Sequence, residues 1–290
     1  MVLSIPTAIA EEVERKTGGR LLKFSSTHGG CINQGGICQT SNGSFFLKWN
    51  DLAKFPGMFE AESKGLAILK RSGPLCVPEV ICWGNADGFQ FLVLENLQEG
   101  KRAKDYWANF GAGLARLHQR RATRFGLDHD NYIGSLPQVN KQSSSWTDFF
   151  REQRLQRQLK LACDAGIVDN ALSKKFDRLF HKLGELLPEE NPSLLHGDLW
   201  GGNIMIANNG QPCLIDPAVY FGSREMDLAM TQLFGGFNNS FFHDYENVYP
   251  LVPGYTKRVD LYNLYPLLVH VNLFGGGYVR QVMTVLERFI

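Results

Sequence analysis

The sequence predicts an α+β chain in two lobes: a small antiparallel sheet carrying one helix, then a larger and mainly helical lobe. Three observations predict it. Short apolar runs separated by glycine- and asparagine-bearing turns fill the N-terminal third, interrupted by one helical pattern. Beyond Leu97 the apolar spacing is mostly that of helices. At 290 residues the chain is near the size at which one core gives way to two. The boundary is expected at residue 95, giving lobes 1–95 and 96–290.

Taken in order, Ile5 to Lys16 reads as an amphipathic helix stopped by Gly18-Gly19. Arg20 to Thr27 is a strand, residues 29–36 a glycine-rich connection and Ile37 to Thr40 a second strand. Ser41-Asn42-Gly43-Ser44 supplies a hairpin turn, and Phe45 to Trp49 a third strand bearing Lys48. A helix follows from Met58 to Arg71. Val77 to Trp83 and Phe89 to Leu94 form two more antiparallel strands around the turn at Asn85–Gly88. Helices are then expected over Tyr106–Arg120, Trp146–Ala165, Ala171–Leu187, Arg224–Phe234 and from Leu261 onward. Short strands are expected at Leu194-Leu195, Asn203–Ile206 and Cys213–Ile215. Asp128 to Ser145, polar and proline-containing, reads as a connection rather than a substrate-shaping loop.

The most specific feature lies among those short strands. His196-Gly197-Asp198-Leu199-Trp200-Gly201-Gly202-Asn203 is followed, after a short apolar run, by Asp216-Pro217. The order His-x-Asp-Leu-x-x-x-Asn, then Asp, is that of a protein-kinase catalytic loop. Phosphoryl transfer demands positioning and charge neutralisation more than covalent chemistry. Asp198 would orient an acceptor hydroxyl and take its proton. Asn203 and Asp216 would hold Mg²⁺, a hard cation that prefers oxygen ligands. A glycine-, asparagine- and aspartate-rich surface turn is common, but the ordered set of four residues is much more specific than a turn requires. The expected fold is therefore protein-kinase-like, with ATP as phosphoryl donor.

The remaining candidates follow from that order. Lys48 alone would read as a solvated strand lysine. Placed before a helix with acidic residues, it is expected to contact the ATP phosphates and pair with Glu62; Glu60 is a rival on another face of the helix. Gly29, Gly30 and Cys31 would cover the phosphates. They do not form a Walker A loop, because Gly36-Ile37 stands where Lys-Ser/Thr is required. Glu95, Asn96 and Leu97 are the expected hinge that binds adenine. Trp200 packs against substrate or into the large lobe. Asp227 is a candidate to accept hydrogen bonds from the catalytic-loop backbone, against the plainer reading of a surface carboxylate. Cys31, among amides that would bind phosphate and near Lys48, is either a small residue filling a tight turn or a redox candidate, so the chain is expected to be a monomer or a redox-sensitive homodimer.

Composition excludes several classes. Thirty Lys and Arg balance 29 Asp and Glu, against nucleic acid or an anionic membrane as main partner. No apolar run reaches the roughly 18 residues of a membrane span. The acidic, amphipathic N-terminus is not expected to be a signal peptide. Six cysteines without Cys-x-x-Cys or His clustering are read as reduced thiols, not as a disulfide framework or zinc site, in a cytoplasmic or organellar protein.

The sequence resembles the fructosamine kinase (ketosamine-3-kinase) family. His196–Asn203, Asp216-Pro217-Ala218 and Arg224–Met230 carry the resemblance. Gly29–Asn33, Met58–Glu62, Phe125–Asp128 and Leu273–Gly276 extend it over nearly the whole chain. The loop tryptophan and the Asp-Pro-Ala separate this pattern from protein kinases and most aminoglycoside phosphotransferases. The resemblance implies ATP-dependent phosphorylation of ketosamines at O-3, on proteins or free amines, leading to deglycation. It implies Asp198 as proton acceptor, Asn203 and Asp216 on magnesium, Lys48 with Glu62 on the phosphates, and Glu95 to Leu97 on adenine. Bacterial and plant members favour ribulosamine or erythrulosamine over fructosamine. The other expectation is a small-molecule kinase of the same fold acting on an aminoglycoside, choline or homoserine. A silent binding module is disfavoured, since Lys48, Asp198, Asn203 and Asp216 are all present.

Overall fold

The computed structural model describes residues 5–27 and 33–290. Helix α1 (Thr7–Thr17) precedes strands β1 (Leu21–Ser26), β2 (Gln34–Thr40) and β3 (Gly43–Asp51), helix α2 (Met58–Ser72), and strands β4 (Val80–Ala86) and β5 (Phe89–Glu95). The strands form one antiparallel sheet in the order β1-β2-β3-β5-β4. Strand alternation divides its two faces. Leu47, Trp49, Phe91 and Val93 join Ile9 and Val13 of α1 in one core. Leu92 and Leu94 pack on the other side with Phe59, Leu66 and Leu69 of α2. Because Lys48 lies between Leu47 and Trp49 and pairs across from Leu92, its side chain enters the α2 face.

Beyond the sheet come α3 (Tyr106–His118), the hairpin β6 (Asn131–Ile133) and β7 (Leu136–Gln138), and α4 (Trp146–Phe149). The last continues through a π-helical turn, Phe150–Leu155, into α5 (Gln156–Asp164). Helix α6 (Asn170–Leu186) leads to β8 (Ser193–Leu195), β9 (Ile204–Ile206), β10 (Pro212–Leu214) and β11 (Tyr220–Gly222). Helices α7 (Glu225–Leu233), α8 (Asn239–Val248), α9 (Tyr255–Phe274) and α10 (Val279–Leu286) complete the chain. The large core gathers Phe149, Phe150, Phe176, Leu179, Leu264 and Leu268. Among the described residues, no helix is long and apolar enough to cross a membrane.

The elements depart from expectation in several places, the unexpected strand β11 among them. Residues 128–145 are not a plain connection but contain the β6–β7 hairpin. Helix α8 was not expected, although Asn238 caps it by accepting from the Ser240 N–H and Phe241 and Tyr245 repeat at helical spacing. Helix α9 begins before Leu261, runs through Pro266, and is separate from α10. Strand β2 begins at Gln34, absorbing part of the glycine-rich connection.

The cysteines require a correction as well. Cys76, between α2 and β4, and Cys213 on β10 form a disulfide across 137 residues of sequence. Cys38, Cys82 and Cys163 are free thiols. The bridge is invisible to spacing rules because the two backbones meet only in the fold, as an isolated parallel bridge in which the Leu214 N–H donates to the Cys76 carbonyl at 2.8 Å. A loop of this length predicts a stabilisation of about 4–5 kcal/mol by the chain-entropy argument. Reductant should therefore lower the thermal midpoint of the wild type by roughly 10 °C and leave Cys213→Ser unmoved. Equal midpoints for oxidised and reduced wild type would count against the bridge.

Candidate active site

Two short ladders build the site. β8 pairs with β11 and β9 with β10, so the loop 196–203 and the turn at Asp216 are each anchored at both ends. The Ala218 N–H donates to the His196 carbonyl at 2.9 Å, and the Ile215 N–H to Asn203 at 3.1 Å. His196 is buried, and burial holds its imidazole below the ordinary value. Its Nε2 donates to the Ile215 carbonyl at 2.9 Å, leaving Nδ1 to accept the Asp198 N–H at 3.3 Å. A neutral ring thus braces the loop against the segment leading to Asp216. Gly197 has φ +83°, and a Cβ there would press on the Ala218 carbonyl, so glycine is required.

Asp227, on α7, is buried behind the loop. Its Oδ2 accepts the His196 N–H at 2.7 Å and its Oδ1 the Gly197 N–H at 2.9 Å. The structure thus favours the loop-anchoring reading of Asp227 over a surface carboxylate.

Asp198 follows the anchored Gly197 directly. Burial pushes its carboxyl up to about 7, against the hydrogen bond from Asn203. Asn203 Nδ2 donates to Asp198 Oδ2 at 2.8 Å and to the Asp198 carbonyl at 2.9 Å. Its amide nitrogen is therefore committed, and Oδ1 is the atom left for a cation. Asp216 adopts φ +52°, a left-handed conformation rare outside glycine, and such outliers cluster at functional sites.

Lys48 joins the sheet to this loop. Its Nζ lies 2.5 Å from Glu62 Oε1 and 2.6 Å from Asp216 Oδ1, the latter 168 residues away in sequence. Burial opposes the ammonium charge, but Asp216 and Glu62 outweigh it and hold Lys48 above its ordinary value. Burial pushes Glu62 up against the pull of Lys48. At Asp216 burial also acts upward, but Lys48 overrides it and holds the carboxyl low. Glu60 points outward to Lys64 at 2.8 Å, which settles the choice between the two glutamates.

Other candidates are less engaged. Glu95 ends β5, and its N–H donates to the Glu79 carbonyl at 2.8 Å. Asn96 Nδ2 donates to Ser44 Oγ at 2.8 Å, which tethers the start of the connection to β3. Leu97 follows in the same irregular segment. Trp200 is 38 % exposed; its indole lies over Gly202 and meets the Phe234 ring edge-on. Gly29, Gly30 and Cys31 lie outside the described residues.

Beside Asp198 opens a pocket walled by Ile133, Met226, Met230, Tyr265, Val269 and His270. Sequence reasoning missed Tyr265 and His270, because α9 is apolar over much of its surface and no stripe singles them out. It also missed Ile133, which reaches the pocket from β6. His270 Nδ1 donates to the Pro266 carbonyl at 2.7 Å, leaving Nε2 as an acceptor in the neutral ring.

Among the described residues no cluster of three or more His, Cys, Asp or Glu forms a self-contained metal site. One carboxylate and one amide oxygen nevertheless fit Mg²⁺, which typically takes one or two protein oxygens together with substrate phosphates and water.

Comparison with known proteins agrees with this fold. The fructosamine kinase family model matches residues 5–290. The chain is 42 % identical to a probable ketoamine kinase of Synechocystis sp., over 97 % of this chain and 95 % of that one. It is 39 % identical to a chloroplastic protein-ribulosamine 3-kinase of Arabidopsis thaliana, over 93 % and 83 %. A Thermobifida fusca protein, whose crystal structure carries a provisional fructosamine-3-kinase name, superposes with a TM-score of 0.88 at 32 % identity, over 98 % of each chain. An aminoglycoside phosphotransferase crystallised with AMP-PNP and hygromycin B shares the fold at a TM-score of 0.62 and 16 % identity. With a kinase catalytic loop, an Asp-Pro-Ala turn and a lysine–glutamate pair in one site, and with relatives matched over nearly their full lengths, this chain belongs to the fructosamine kinase family.

Proposed function

We propose that this protein transfers the γ-phosphoryl group of ATP to the O-3 hydroxyl of a ketosamine. Residues 1–95 hold the nucleotide and 96–290 supply the catalytic loop and acceptor pocket. Asp198 orients the acceptor hydroxyl and receives its proton; a carboxyl near 7 divides its population between base and acid close to neutrality. Lys48, fixed by Glu62, neutralises phosphate charge. The Glu95–Leu97 segment meets adenine through its backbone. Mg²⁺ would be held by Asn203 Oδ1 and Asp216 and would neutralise charge on the phosphates.

The observation that carries the acceptor class is the pocket lining. Among the described residues Asp198 and Asp227 are its only carboxylates, and Asp227 is committed to backbone N–H groups. A polycationic aminoglycoside would leave its ammonium groups against apolar walls of Ile133, Met226, Met230 and Val269, which is unfavourable without paired charge. A ketosamine brings at most one ammonium group to those walls, so less charge is left unpaired.

The chemistry supplies its own test. Phosphorylation at O-3 places a leaving group β to the C1 carbon, beside the C2 ketone. Loss of a C1 proton gives the enol, the C3–O bond breaks with departure of inorganic phosphate, and water then releases the amine and a 3-deoxy dicarbonyl sugar. Ribuloselysine and fructoselysine peptides should gain phosphate with Mg-ATP, then revert to unmodified lysine after the enzyme is removed. Choline and an aminoglycoside should remain unphosphorylated. A stable phosphopeptide would overturn the O-3 assignment.

A further inference from the structure

The anchoring of Asp227 poses an electrostatic problem that the catalytic loop alone does not solve. The residue is 1 % exposed, and among the described residues no lysine or arginine pairs with it. A buried carboxylate is tolerated only when hydrogen-bond donors replace its water. Two come from the backbone at His196 and Gly197. The third comes from His118, at the last turn of α3, whose Nε2 lies 3.2 Å from Asp227 Oδ2. Oδ2 is therefore shared between the imidazole and the His196 N–H.

His118 is itself held. It is fully buried, and its Nδ1 lies 2.8 Å from the Tyr245 hydroxyl on α8. An ionised carboxylate can only accept, so Nε2 must carry the proton. Tyr245 keeps its O–H, because burial holds the phenol well above its ordinary value, and it can donate to Nδ1. One tautomer satisfies the whole line: Tyr245 O–H to Nδ1, Nε2–H to Asp227, and Asp227 accepting from the two loop amides. The line crosses α8, α3 and α7 and ends one residue before Asp198. The α3–α8 packing that makes it possible is close: at Gly111 any Cβ would press on the Phe241 carbonyl.

We propose that His118 is a positioning residue for phosphoryl transfer, holding Asp227 in the rotamer that fixes the backbone carrying Asp198, with Tyr245 setting its tautomer. The proposal rests on the kinase reading of the site. Without the Nε2–H donor, Oδ2 loses a partner and is free to turn from the His196 amide, and the loop loosens while the nucleotide-facing residues stay in place.

Two substitutions separate this role from simple core filling. Glutamine places its amide nitrogen near the position of Nε2 and can still donate to Asp227. Asparagine places its amide near Nδ1 and can satisfy only Tyr245. Three readouts on the full-length protein decide the matter: thermal midpoint, amide hydrogen exchange of the 194–199 segment, and kcat with KM for ATP on ribuloselysine peptide. His118→Gln and His118→Asn should lose similar thermal stability. His118→Asn should speed exchange in 194–199 and lower kcat by about tenfold each, with KM for ATP within about twofold. His118→Gln should keep exchange and kcat within about threefold of wild type. Tyr245→Phe, which removes only a hydroxyl, should speed exchange by about threefold and serves if the histidine variants do not fold.

Equal exchange in the Gln and Asn variants would overturn the proposal, as would wild-type exchange in Tyr245→Phe. Exchange needs no substrate. If wild type leaves ribuloselysine unphosphorylated, the proposed function fails while exchange still decides the role of His118.

Discussion

Asp198→Asn is expected to lower turnover by about 10²–10⁴-fold, the usual contribution of a positioned general base, equivalent to roughly 3–5 kcal/mol of barrier. The substitution preserves shape but removes the proton acceptor. It also faces the Asn203 amide, whose Nδ2 donates to Asp198 Oδ2, with a side chain that can rotate to present either an oxygen or a nitrogen. Mg-ATP affinity should remain near that of wild type, because Lys48, Glu62 and Asp216 are untouched. Single-turnover kinetics on a ketosamine peptide, with calorimetric titration of Mg-ATP, separate these effects. Turnover near the wild-type rate would remove Asp198 from the chemistry.

The second large effect is expected at Asp216. Asp216→Asn keeps a residue that tolerates the φ of +52° at this position, so the turn should survive where alanine would add strain. What is lost is a negative charge 2.6 Å from Lys48 and the carboxylate that would face magnesium. Mg-ATP affinity should fall by about 100-fold, or roughly 2.7 kcal/mol. ATP binding measured in EDTA should fall much less, because it does not use the cation. Lys48 retains Glu62, so the thermal midpoint should move little by comparison. Equal loss with and without magnesium would assign Asp216 to the lysine alone. Unchanged Mg-ATP affinity would remove it from metal binding.

Much of this site was legible from spacing. His196, Asp198, Asn203 and Asp216 lie within one short segment, and phosphoryl transfer fixes their order, so no distant contact was needed to find them. The sheet was legible for a related reason. Its strands run six to nine residues, long enough for alternation to show, and helix α2 buries one stripe that places Glu62 inward and Glu60 outward.

What sequence alone determined, then, was the two-lobe class, the order of the sheet strands and of most of the longer helices, and the local catalytic motif, because each is written in neighbouring residues. Tertiary structure decided everything that depends on two distant segments meeting. Three-residue strands such as β6 and β7 are too short to carry a period, so the hairpin that brings Ile133 to the pocket looked like a loop. Tyr265 and His270 lie on a helix buried over much of its length, and only the packing of α9 beside the catalytic loop gives them a place at the acceptor. Cys76 and Cys213 are unremarkable in sequence until the α2–β4 connection lies along β10. Nothing near Lys48 in sequence names Asp216 as its second partner; that pair forms because alternation in β3 turns the lysine toward α2, and the two ladders around the catalytic loop hold the carboxylate within its reach.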